Sequence, residues 1–349
     1  MASAIMNRYR RHVGLLLLLA AALVLPYAVT NRYYLQVIRM ALIWAIATQG
    51  LNVILGYAGQ LSLAQGGLFG IGAYTVGLLT TKAGLSFWVA LPAAALLTGV
   101  VGYAVGLVSL RTRGHTFAIF TLCVGVIIGL VIEEWDSLTE GVRGLIGIPL
   151  PSPIPLPVVG PITFRSPRAQ YYLVLLFFLL TQMVTYRLVH SLVGRTFQAI
   201  RSGEVLAESL GIRVMAEKRL AFVISAVLTG IAGGLYAAQI RFIGPEVSHF
   251  GVTFNLLLFL LVGGQGTVAG PLVGTLVVSL LTESLQLLQE YRMLIFGPIL
   301  ILIVMYFPKG LAGALADAWG YLGRRARASA HPLVGMATER PVETAEGRG

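Results

Sequence analysis

The sequence predicts an all-α, polytopic membrane protein of about eight to ten transmembrane helices, some of them broken or re-entrant at glycine-rich turns. Three observations predict it. Only 11% of the residues are charged and 57% are hydrophobic, whereas soluble domains carry about 25% charged residues. The apolar residues fall into runs close to the roughly 20 residues that a span requires. The basic residues collect in the short loops between those runs. The formal net charge of +11 therefore reads as a device for membrane orientation rather than for binding nucleic acid. The single cysteine, Cys123, lies inside an apolar run. It excludes an internal disulfide and any cysteine-based metal cluster.

Residues 1–12 form a basic leader carrying Arg8, Arg10 and Arg11. The first apolar run, Leu15 to Val29, reads as an uncleaved helix, because no small-residue cleavage site precedes Tyr27. It opens a transmembrane domain expected over 13–311, with further spans near 35–55, 62–81, 85–109 and 115–132. The loop 133–169 is too rich in proline to be one helix. Span six is expected near 170–189 and span seven near 219–240. Residues 252–263 and 267–283 are two short apolar pieces joined by Gly263-Gly264-Gln265-Gly266. They read either as a re-entrant pair or as two short helices meeting at a glycine turn. A last span is expected at 291–307, ending at Pro308-Lys309-Gly310, and a disordered tail over 324–349.

Charge decides the orientation. With a cytoplasmic N-terminus, three basic residues of the leader, two of 110–114, six of 187–219 and six from Lys309 onward lie inside, 17 of the 25 Lys and Arg. The positive-inside rule favours that arrangement. It places both termini in the cytoplasm and the proline-rich loop outside.

Between spans six and seven lies a polar island, 194–212, bounded by Gly194 and Gly211. It reads as two short helical pieces divided at Gly203, with Phe197 and Ile200 on one face and Leu206 and Leu210 on another. Gly211 suits a C-cap. A structured helix on a membrane surface is best explained by a soluble partner that grips it.

Two glycine clusters mark a candidate solute path. The first holds Gly56, Gly59, Gln60, Ser62, Gln65, Gly66 and Gly67, and the second Gly263, Gly264, Gln265 and Gly266. Glycine lets membrane helices approach closely, and polar side chains beside exposed peptide groups could contact a small zwitterionic solute. Gly66-Gly67-Leu68-Phe69-Gly70 resembles Gly270-Pro271-Leu272-Val273-Gly274, a weak internal repeat of a kind found in transporters.

The run Leu51 to Gly66 resembles the signature of LivM-type permeases, the membrane subunits of branched-chain amino acid ABC importers. The similarity continues through Arg113-Gly114-His115-Thr116-Phe117, Trp135 to Thr139, Gly141 to Leu145, Gly194-Arg195, Ala199-Ile200-Arg201, Lys218 to Gly234 and Phe307 to Leu311. It spans about 35–311. The resemblance implies import of branched-chain or related amino acids across the inner membrane by alternating access. It implies a second, LivH-like permease, two ATPase subunits that bind ATP-Mg, and a periplasmic solute-binding protein. It also implies that the polar island is the coupling helix presented to the ATPase, the positions matching that motif being Gly194, Arg195, Ala199, Ile200, Arg201, Glu204, Ala207 and Gly211. Ser202-Gly203 and Glu140 depart from the family pattern, which at the latter position often has glycine.

No Gly-x-x-x-x-Gly-Lys-Ser/Thr run exists, so the usual ATP phosphate loop is absent from this chain. No histidine pair has metal-ligand spacing, and neither a catalytic nor a metal site is expected. The spans hold almost no ionisable residues, which argues against a proton- or ion-coupled carrier. A permease of the same architecture for urea or short amides is the closest alternative. A stand-alone channel or carrier fits less well with the structured island. Glu133, Glu134 and Asp136 read as a solvated cluster on the outer face.

Overall fold

In the computed structural model, residues 19–29, 31–110, 112, 114–156, 160–284, 297–298, 305 and 310–314 are described. The leader, the tail and most of the expected last span lie outside them. Nearly all regular structure is helical. The chain forms α1 (Leu19–Ala28), α2 (Arg32–Leu51), α3 (Gln65–Thr81), α4 (Phe87–Ser109), α5 (His115–Glu134) and α6 (Asp136–Thr139). It continues with α7 (Pro167–Val189), α8 (Leu192–Ser202), α9 (Glu204–Ser209), α10 (Val214–Ile240), α11 (Phe250–Gly263) and α12 (Gly270–Ser284). Among the described residues five helices are long and apolar enough to cross a membrane, α2 and α10 being the most buried and α4, α5 and α7 the least. The protein is a polytopic helical membrane protein.

The element boundaries show where local chemistry outweighs hydrophobic runs. The helix α2 starts at Arg32 because Asn31 caps it, accepting from the amide of Tyr33 at 3.0 Å. It runs on into a π-helical turn, Asn52–Tyr57, a local widening that hydropathy does not register. The helix α7 starts three residues before the expected position. Ser166 caps it and Pro167 takes the first helical position, where a missing N–H costs nothing. The helix α10 begins at Val214 rather than near 219, taking Glu217 and Lys218 into its opening turns.

The centre of the bundle is α10, packed against α2, α3 and α4. Small residues make that possible. A Cβ on Gly72 would lie 2.1 Å from the Gly230 carbonyl oxygen, so α3 and α10 touch backbone to backbone. Around this contact Trp44 stacks on Phe69 at 5.0 Å, and Tyr236 and Phe259 close the cluster. Apolar side chains of α4, α5 and α7, such as Leu96, Ile127 and Val184, point outward.

The loops sort onto two faces, as alternating spans require. On one face, Lys82 after α3 pairs with Glu140 at 2.8 Å. Strand β1 (Leu145–Ile146) pairs antiparallel with β4 (Phe242–Ile243). The proline-rich segment folds back as a hairpin of β2 (Ile154–Leu156) and β3 (Gly160–Ile162). It is not one helix, as its prolines dictate. On the other face lie residues 57–60, 266–267 and the α8–α9 island. The 252–283 region resolves as two antiparallel-packed short helices, α11 and α12, that meet at the glycine turn.

The few ionisable residues of the long helices include two that are buried: Arg39 in α2 is 6% exposed and Lys218 in α10 is 1% exposed.

Candidate functional site: the island and the glycine turns

The polar island is built as two helices at a sharp corner. Ser191 caps α8, accepting from the amide of Gly194 at 3.3 Å. A Cβ on Gly194 would lie 2.4 Å from the carbonyl oxygens of Leu188 and Val189, so this corner admits only glycine without rearrangement. Gly203 separates α8 from α9 in extended backbone (φ 178) that any residue adopts. Gly211 closes α9 at φ +83, and the amide of Ile212 returns to Ala207 at 3.1 Å, a glycine-terminated helix end.

One side of the island is anchored in the bundle. Phe197 and Ile200 are buried and share a face, as the spacing predicts. They belong to the inner side of the island, and Phe197 packs into a cluster with Val53, Tyr57, Ala58, Ala221 and Leu228. Ala207 is buried and Ala199 half-buried, while Arg195 is exposed. Leu206 and Leu210 share the opposite face. With Leu192 and Val205 they form an apolar crest, each residue between 67% and 79% exposed. An apolar crest on an otherwise polar face marks an interaction surface.

Charged side chains tie the island to the first glycine turn. The Arg201 guanidinium donates to the Gly56 carbonyl oxygen. Gln60 donates its amide to Glu204 at 3.2 Å, and the same carboxylate pairs with the buried Lys218 ammonium. The first turn is in turn tied to the second. The Asn52 side chain accepts from the amide of Gly266 and donates to the Thr267 carbonyl oxygen, both at 2.8 Å. A Cβ on Gly56 would lie 2.6 Å from the Gly266 nitrogen, so the two turns are in contact. The island therefore meets both glycine clusters through Arg201, Glu204, Gly56 and Asn52. Gly310 closes on the second turn, its Cβ direction reaching Gly264 Cα at 2.2 Å.

The expected solute path divides. Gly56, Gly59, Gln60 and Gly266 lie at the island, with Gln265 exposed beside them. Gln65, Gly66 and Gly67 lie deeper. Gln65 donates to Ser225 at 3.0 Å and accepts from Thr229 at 2.7 Å. Thr253 accepts from the amide of Gly66 at 2.7 Å. Gly67 abuts Gly125. Ser62 is fully buried, and its hydroxyl has no partner. Gly263 and Gly264 are buried in the α11–α12 crossing. A cavity of 540 Å³ lies beneath α9, lined by Glu204, Glu208, Arg213, Lys218 and Arg219. The segments that resemble each other are both helix starts, opening α3 and α12 after a glycine turn.

Sequence reasoning assigned no role to Asn52 or Lys218. Lys218 reads as an ordinary interfacial lysine at a span end, and Asn52 as one polar residue in an apolar run. Only their burial reveals them.

Among the described residues no cluster of His, Cys, Asp or Glu could hold a metal ion. The arrangement is a helical island hydrogen-bonded to the first glycine turn, which is in turn bonded to the second. Residues 33–304 match the model of the family described as "Branched-chain amino acid transport system / permease component". The chain belongs to this family of permeases. It is 33% identical over 86% of its length, and 75% of the relative's, to the high-affinity branched-chain amino acid transport system permease protein LivM of Salmonella typhimurium. The LivM protein of Escherichia coli is 32% identical over the same shares. LivH of Salmonella typhimurium is 23% identical over 77% of this chain and 91% of the relative. No solved structure matches. LivM and LivH are both permease proteins by name, and membership of their family accounts for the helical membrane architecture.

Proposed function

We propose that the chain is one permease subunit of an ATP-driven importer that carries branched-chain or related amino acids across the inner membrane by alternating access. It pairs with a second, LivH-like permease. Two ATPase subunits bind ATP-Mg and grip the α8–α9 island, and a periplasmic binding protein delivers the solute to the proline-rich face. The N- and C-termini are then cytoplasmic.

The observation that carries this reading is the two-sided island. Its inner side is anchored by Phe197, Ile200, Arg201 and Glu204, and its outer side leaves Leu192, Val205, Leu206 and Leu210 uncovered. A helix seated in a moving cleft transmits closure as a rigid-body shift. That shift reaches residues 56–60 directly and 266–267 through Asn52. The test is uptake by vesicles reconstituted with the complete set of subunits, leucine against urea. Leucine accumulation that requires ATP and the partners is expected. Transport that persists without either would refute the proposal, and preferential urea uptake would replace the solute.

A further inference from the structure

Arg39 lies within the membrane-spanning α2 and is 6% exposed. An ionisable side chain at such a place needs a partner. Its one hydrogen bond is to a neutral group: Nη1 donates to Gln170 Oε1 at 2.5 Å. Its Nε is buried without a partner. No carboxylate lies within ion-pair distance among the described residues. An arginine left in this state is strongly disfavoured, because desolvation is not offset by an opposite charge.

Gln170 sits in the opening turns of α7, held by the bond from its Nε2 to the Phe164 carbonyl oxygen at 3.1 Å. The first turn of this 23-residue helix contains no acidic residue and carries Arg168. A helix N-terminus favours an anion. The turn is already capped by Ser166 and opens on Pro167, which has no N–H, so it is the buried guanidinium that lacks an anion.

We propose that Arg39, beside the opening of α7, forms a binding site for an oxyanion, a carboxylate or a phosphate, received by the unpartnered Nε edge of the guanidinium. That edge presents parallel N–H donors matched to two oxygens of one anionic group. Two sources supply such a group. One is the carboxylate of a free amino acid. The other is a phospholipid headgroup, and Tyr27, which lies under Arg168 at 5.1 Å, is typical of the membrane interface where headgroups sit.

The experiment is thermal unfolding of the full-length chain in detergent, titrated separately with phosphatidylglycerol and with leucine. One of the two is expected to raise the wild-type midpoint in a dose-dependent way, and Arg39→Gln is expected to abolish that shift. The ligand-free midpoint of Arg39→Gln should be no lower than wild type, since the substitution removes an uncompensated charge. A shift with phosphatidylglycerol alone assigns a lipid phosphate, and one with leucine alone a substrate carboxylate. Should Arg39→Gln fail to fold, Arg39→Lys keeps the charge without the paired donors. It should need about tenfold more ligand for the half-maximal shift. No shift with either probe, a full shift retained in Arg39→Gln, or an undiminished response in Arg39→Lys overturns the site.

Discussion

Glu204 is shared between the Lys218 ammonium and the Gln60 amide. Lys218 is buried, whereas the Glu204 side chain is 29% exposed. Replacing Glu204 with glutamine leaves the ammonium buried without a counter-charge. Breaking a buried pair in this way costs about 3–5 kcal/mol, and the partial exposure of Glu204 reduces that to about 2–3 kcal/mol. A denaturation midpoint of the purified chain checks it, and Glu204→Gln combined with Lys218→Met should recover most of the loss. Glu140 offers a second residue-scale test. It adopts φ +64, a left-handed conformation that favours glycine. Glu140→Gly should therefore leave the melting temperature unchanged or slightly raised. The Lys82 ammonium, by hydrogen bond and by charge, holds the Glu140 carboxyl below its ordinary value of 4.5. The pair's contribution is thus present at neutral pH and is lost as pH falls through that lowered value. Its loss should be small, because both side chains are exposed. Titration of wild type against Glu140→Gly between neutral and acid pH measures it.

The island was the most legible element in the sequence, and its two faces are the reason. A three-residue spacing put Phe197 and Ile200 together, and a four-residue spacing did the same for Leu206 and Leu210. The sequence did not say which pair would be buried, since both are apolar and only the bundle surface decides. The uncovered crest predicts a partner. Leu206→Asp with Leu210→Asp should weaken binding of the ATPase subunits by roughly tenfold or more, because each leucine forfeits about 1.5–3 kcal/mol of burial. The fold of the permease itself should be unaffected, as both side chains face solvent. Pull-down of the ATPase with the double variant checks both points. Gly203 behaves differently from the flanking glycines. Its extended backbone accepts alanine, and the nearest atom to an added Cβ is Leu206 Cβ at 3.8 Å. Gly203→Ala should assemble normally and, by stiffening the junction of α8 and α9, should change the transport obtained per ATP. Unchanged coupling would remove Gly203 as a hinge.

At the scale of the whole molecule, hydropathy located the helices because each apolar run must find lipid or a neighbouring helix. Alternation of the spans placed the loops on the correct pair of faces. The features that neither revealed are those fixed by tertiary contact. The π-turn after α2, the early start of α10 and the buried Arg39 depend on which helices happen to adjoin. The candidate path was legible only as two glycine clusters. Their contact through Asn52 joins residues more than 200 positions apart, beyond the reach of any local pattern. That contact links the second turn to the first and, through Arg201, to the island, so that under the proposed function the three would move as one unit. The most direct test of the unit is leucine taken up per ATP hydrolysed, in vesicles holding the assembled complex, for wild type and Arg201→Met. Arg201 is exposed on α8 and its guanidinium bonds the Gly56 carbonyl oxygen, so the variant should fold and assemble. A several-fold fall in uptake per ATP, with ATP hydrolysis retained, is the predicted result. An unchanged ratio would contradict the claim that the island drives the glycine turns.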